Sequence, residues 1–199
     1  DVTFTTASAA GMALRDDAAR TYLGQTFTAK SGFPLSRVRL SLKKTGTPTW
    51  NIWVEIWTPR GGTPSAIKGA ASANVDVSTL TTSFANYNFD FTAPITVADG
   101  TVYAIVLRGD FAVSGANYAQ WEDDGAGGYT GGSAYKAEGT PTWSSNGTDD
   151  QVFTTYYQRW AAWSPVRSLW VDTAAAPTYT PGSGPGWTLI DPDDPSDYY

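Results

Sequence analysis

The chain of 199 residues contains no cysteine and no histidine. Those two absences remove disulfide frameworks, zinc sites, cysteine nucleophiles and any Ser-His-Asp triad. Basic residues are scarce: 13 Lys and Arg stand against 19 Asp and Glu, a net charge of −6. A nucleic-acid partner is not expected, because phosphate binding depends on clustered cations. No apolar run approaches the roughly 18 to 20 residues of a membrane-spanning helix, so membrane insertion is not expected either. Any enzymology would have to rest on carboxylates, tyrosine or lysine. Any metal would be a hard cation on oxygen ligands, calcium before others.

What is abundant points one way. Aromatic residues make up 14% of the chain, with nine Trp and eleven Tyr, alongside 20 Gly and 12 Pro. Period-two alternation recurs through eight segments: 22–29, 37–43, 51–58, 86–92, 101–108, 117–121, 133–137 and 151–157. In "RVRLSLK" the residues Val38, Leu40 and Leu42 alternate with Arg37, Arg39 and Lys43, while "TVYAIVLR" is apolar on both faces and reads as a central strand. Turn residues separate the segments, among them Arg60-Gly61-Gly62, Ala98-Asp99-Gly100 and Ser145-Asn146-Gly147. The pattern predicts an all-β fold, an antiparallel jelly-roll β-sandwich.

Three regions follow: an N-terminal strand or segment over 1–21, the sandwich over 22–159, and an extended Pro/Trp-rich arm over 160–199. "SAAGMALRDDAAR" (8–20) is the one helix candidate, equally readable as a loop or short turn. "DVTFT" alternates, and fits either a strand of the chain's own sheet or one donated to a neighbour. The arm holds six of the twelve prolines and four of the nine tryptophans. Proline at that density predicts an extended arm without regular helix or central strand. Its anchors Trp160, Trp163, Trp170, Trp187 and Ile190 are the expected partner-binding residues, in a homo-oligomer or against other subunits.

Two stretches carry candidate chemistry. In "NIWVEIWT" the aliphatic residues Ile52, Val54 and Ile56 share one face, leaving Trp53, Glu55 and Trp57 on the other. Two indoles flanking a carboxylate suit a sugar ring, a subunit interface, or cover by the chain's own arm. In "YAQWEDDGAGGYTGGSAYK" the acids Glu122, Asp123 and Asp124 follow Trp121 and precede Tyr129. Adjacent acids raise one another's pKa, which calcium held by Asp123, Asp124 and backbone carbonyls would relieve. Carboxylate-pair hydrolysis needs two acids at a defined separation, and nothing in the sequence pairs these; an enzyme is not expected. "NGT" at 146–148 matches a glycosylation pattern but reads first as a turn.

The series "LGQTFTAKSGFPLSRVRLSLKKTGTPTWNIWVEIW", "GTVYAIVLRGD" and "YAQWEDDGAGGYTGGSAYKA…TW" resembles the lectin-like jelly-roll β-sandwich domains of bacteriophage virion proteins and of secreted or surface bacterial proteins. The resemblance covers about residues 20–157 and leaves the arm aside. It implies a non-enzymatic structural protein of a phage particle, a capsid decoration, fibre or tail component at the virion surface, with virion subunits as partners. The alternatives are a secreted or cell-surface carbohydrate-binding module, taking glycans through Trp53, Trp57, Trp121 and the 122–132 loop with Tyr129, and an extracellular filament subunit assembled by strand exchange. It also implies that Trp121 is core or semi-core.

Overall fold

A computed structural model describes residues 1–30, 32–110, 112–139, 142–164, 169–173 and 188–190, the last stretches from Arg159 onward as backbone. Among the described residues sixteen strands follow one another: β1 (Thr3–Phe4), β2 (Ala10–Leu14), β3 (Tyr22–Thr28), β4 (Leu35–Thr45), β5 (Asn51–Arg60), β6 (Thr63–Ile67), β7 (Val75–Asp76) and β8 (Ala85–Ile95). Then come β9 (Val102–Gly109), β10 (Tyr118–Asp123), β11 (Ala134–Glu138), β12 (Thr142–Ser145), β13 (Phe153–Tyr157), β14 (Arg159–Ser164), β15 (Leu169–Thr173) and β16 (Thr188–Ile190). The only described helical turns are 3₁₀, at Ala18–Arg20 and Val77–Thr79. All described strand pairs are antiparallel.

Two curled sheets pack face to face, an arrangement compatible with a β-sandwich. The seven-stranded sheet runs β12-β11-β3-β9-β5-β6, with β7 also on β5. The six-stranded sheet is organised around β4. One edge of β4 carries β8 along Leu35–Leu42. The other edge is divided end to end: β13 pairs with Leu35–Leu40 and β10 with Leu42–Thr45. Beyond them, β1 lies on β13 and β2 on β10.

Alternation explains the core. Val38, Leu40, Leu42, Ile52, Val54, Ile56, Ile105 and Leu107 are fully buried between the sheets, as their period-two spacing predicts. Burying each such side chain removes apolar area worth roughly 1.5–3 kcal/mol. β9 lies between β3 and β5, and its other face, Ala104 and Val106, is buried as well. The Arg60-Gly61-Gly62 turn is the expected tight hairpin: both glycines have positive φ, 60° and 90°, the twist a two-residue β-connection favours.

The helix candidate over 8–20 is corrected. Ala10–Leu14 is a strand because Met12 and Leu14, two apart, both reach the core, and only Ala18–Arg20 turns helically. Its many Ala and Gly residues masked the alternation. "DVTFT" pairs with β13 of its own chain, burying Val2 and Phe4. β12 lies in "TPTWSS", where alternation predicts no strand.

The 160–199 region adds no described strand to either sheet. β14 pairs with β15 and β16 in a separate three-stranded sheet that begins two residues after Tyr157. Trp163 and Trp170 are directly opposed across β14 and β15, and Arg159 opposes Ile190. The expected anchors Trp160, Trp163, Trp170 and Ile190 therefore lie in these strands, whereas Trp187 is outside the described residues.

Candidate functional site

The first candidate is the face of the seven-stranded sheet that points away from the core. Because Ile52, Val54 and Ile56 point inward, Trp53, Glu55 and Trp57 must point outward. Their cross-strand partners on β9 are Arg108, Val106 and Ala104. The carboxylate of Glu55 organises the group. Oε1 accepts from Trp53 Nε1 at 3.0 Å and from Arg108 Nη1 at 2.9 Å, and Oε2 accepts from Trp57 Nε1 at 2.9 Å. Arg108 Nη2 donates in turn to the Tyr22 hydroxyl at 3.1 Å. The guanidinium lies 4.6 Å from the Tyr22 ring centre and 5.5 Å from that of Trp53, a flanked cation–π arrangement.

The sheet curls around this face, and its edge strand supplies a lid. Trp143 of β12 lies against Gly24 of β3, where a Cβ would come within 3.1 Å of its ring. Its ring meets Trp57 edge-on at 5.9 Å and Tyr22 at 6.1 Å. Trp57 and Glu55 are consequently 6% exposed, and only Trp53 of the trio remains half-buried. Trp57 and Glu55 thus sit in a closed cluster covered by the chain's own β12, with Trp53 half-buried. Both Glu55 oxygens are committed to structural donors. Tyr22, Arg108 and Trp143 belong to the cluster although nothing adjacent in sequence points to them.

The second candidate is the acidic stretch, where β10 and β13 part from each other. Trp121 is fully buried and its indole N–H donates 2.7 Å to the Val152 carbonyl, bridging the two strands at their junction. Beyond it, Glu122–Asp124 leave β4 and pair with Asp150–Val152. Tyr129 packs on Phe4 at 5.4 Å and Phe153 at 5.3 Å between ring centres. Trp121 is therefore a core packing residue, whereas Tyr129 is partly buried against the core and also lines the cavity beside the loop.

Each acid finds a different partner. Glu122 accepts from Ser41 Oγ on the outer sheet face. Asp124 accepts from the backbone N–H groups of Asp150 at 2.8 Å, Gly127 at 3.1 Å, Ala126 at 3.2 Å and also Gly128. Burial works to raise this carboxyl, but the amides outweigh it and hold it below the ordinary value of 3.8. Gly127 lets the loop close on it: its φ is +67°, and a Cβ there would fall 2.1 Å from the Thr148 carbonyl oxygen. Asp150 accepts from Gln25 Nε2 at 3.0 Å and from Tyr129 N–H at 3.1 Å, while Gln25 Oε1 accepts from Gln151 N–H at 2.8 Å. Gln25, fully buried on β3, thereby ties the seven-stranded sheet to the junction in the six-stranded one.

The repulsion that calcium would relieve is met for Asp124 by amide dipoles. Among the described residues, no group of three or more acidic side chains is placed to hold a metal ion. A cavity of about 200 Å³ opens beside the loop, lined by Tyr129, Ser133, Thr148, Asp149 and Asp150 among others.

Burial, then the charge of Asp149, raises the Asp123 carboxyl, and burial raises Asp150. An acid raised on folding holds its proton more tightly folded than unfolded. It costs stability as pH climbs above 3.8 and through the raised value. Asp124 acts in the opposite sense, its contribution being complete above 3.8 and lost as pH falls through its lowered value. Asp123→Asn keeps an acceptor for Ser8 Oγ, which lies 3.3 Å from Oδ1. Urea unfolding is expected to show this variant more stable than the parent at pH 7. The difference should shrink toward zero near about pH 3, where the parent's Asp123 is largely protonated in both states.

Compared with known proteins, the chain matches no family model, no curated protein and no solved structure.

Proposed function

We propose that the protein is a non-enzymatic structural component of a bacteriophage particle, a capsid decoration, fibre or tail protein. It displays a jelly-roll β-sandwich and is held to neighbouring subunits by residues 160–199. The observation that carries this reading is the separate sheet formed by β14, β15 and β16. Three strands of three to six residues enclose no core of their own, and such a sheet gains stability by covering another surface. Four tryptophans in that region suit anchoring, because Trp is enriched where protein surfaces lock together. The Glu55 carboxylate is engaged by Trp53, Trp57 and Arg108 and that of Asp124 by four backbone amides, which supports a structural role for both.

Sedimentation of the full chain against one ending at Gln158 tests the proposal. The shorter chain retains every strand of both sandwich sheets. The full chain is expected to self-associate with rising concentration, and the shorter one to stay folded and self-associate far less. Two equally stable monomers would overturn the attachment role, and the half-buried Trp53 beside Arg108 would become the surface to screen with glycans.

A further inference from the structure

Residues 1–14 form the outer edge of half the six-stranded sheet. β1 covers β13 and β2 covers β10, so this one strap crosses both strands that share the edge of β4. It is held like an inserted strand. Val2, Phe4, Met12 and Leu14 are all buried in the sandwich core, whereas residues 5–10 between them are exposed. Ser8 N–H and the Asp123 carbonyl, and Thr155 N–H and the Val2 carbonyl, add backbone bonds of 3.0 and 2.9 Å.

A single connection, residues 15–21, joins the strap to β3 in the opposite sheet. Its closed form is strained where it begins. Arg15 has φ of 59°, a left-handed conformation that a side chain with a Cβ disfavours. Few bonds hold it shut: Arg15 N–H to the Arg20 carbonyl at 2.7 Å, Ser114 N–H to the Arg15 carbonyl at 2.9 Å, Thr21 bonded at its end to Ala137 and Gly139, and Arg20 paired with Asp16 and Asp17. Partly exposed ion pairs of this kind contribute little. Opened, seven residues reach roughly 23–25 Å.

We propose that the strap is exchanged between copies of this chain. In assembly, residues 1–14 of one copy occupy the β13–β10 edge of a second, with residues 15–21 as the hinge. Every contact the strap makes in its own sheet is reproduced in the neighbour's. The balance is therefore set by hinge strain and by local concentration, which a particle lattice raises. This contact does not use residues 160–199, so it stands or falls separately from their attachment role.

The absence of native cysteine makes the test clean. Thr3 and Thr154 are register partners. Thr155 N–H donates to the Val2 carbonyl, so Thr3 and Thr154 form the non-hydrogen-bonded pair, about 4.5 Å apart at Cα and within disulfide reach. Full-length Thr3→Cys and Thr154→Cys variants are mixed at high concentration and oxidised, with Thr3→Cys plus Thr142→Cys as the collision control. The expected result is a covalent 3–154 heterodimer in at least about tenfold excess over the control. Its yield should fall several-fold in an Arg15→Gly background, where glycine relieves the closed hinge. The proposal is overturned if the mixture gives no more dimer than the control while the double variant, Thr3→Cys with Thr154→Cys, closes within one chain.

Discussion

Glu55→Ala is expected to lower stability by about 3 to 5 kcal/mol, the range for removing one partner of a buried ion pair. In a chain of this length that is a fall of roughly 6–20 °C in melting temperature. The size follows from how many groups lose their acceptor together. Two indole N–H groups and a guanidinium converge on this carboxylate from within one sheet face. Trp57 is buried under Trp143, so water cannot readily replace the lost oxygen there. Glu55→Gln should fall between the two, since it keeps one acceptor oxygen and gives up the charge that Arg108 faces. Circular dichroism melts of the three proteins measure the series. A melting temperature for Glu55→Ala within about 2 °C of the parent would mean that solvent satisfies all three donors.

Trp121→Ala is expected to cost a similar amount, about 3–5 kcal/mol, for a different reason. The ring is among the largest fully buried side chains of the sandwich, and its removal leaves a cavity at the junction of β10 and β13. Trp121→Phe refills much of that volume but orphans the Val152 carbonyl, a loss of about 1–3 kcal/mol by itself. The comparison separates packing from the bridging hydrogen bond. Equal losses for the two variants would show that the bond, not the ring, secures the junction.

Much of the architecture was legible because one face of each strand is buried. Val38, Leu40 and Leu42, or Ile52, Val54 and Ile56, announce a strand and its orientation through spacing alone. β2 was obscured since Ala and Gly occupy most of its positions and carry no hydrophobic contrast. β12 was missed because its one large apolar residue, Trp143, serves the curled outer face and not the core. The site was harder still. Glu55 was identifiable as a carboxylate between indoles, yet its closure depends on Arg108 and Trp143, far along the chain, arriving on the same face. The fate of Asp124 could not be read from residue types, because its partners are backbone amides present at every position. The adjacency of acids suggested a cation where the fold supplies oriented dipoles.

The pairing of β1 with β13 has a temporal consequence. The earliest strand of the sandwich to leave a ribosome rests on the last, and Phe4 has no hydrogen-bonded partner until Phe153 has been made. At 5–20 residues per second, the intervening stretch of about 150 residues takes roughly 8–30 s to synthesise. Through that interval the edge that β1 will occupy does not exist in its own chain. A neighbouring nascent chain that is further along already presents one. Polysome spacing, as much as the equilibrium between closed and open hinges, would then govern how many straps settle at home.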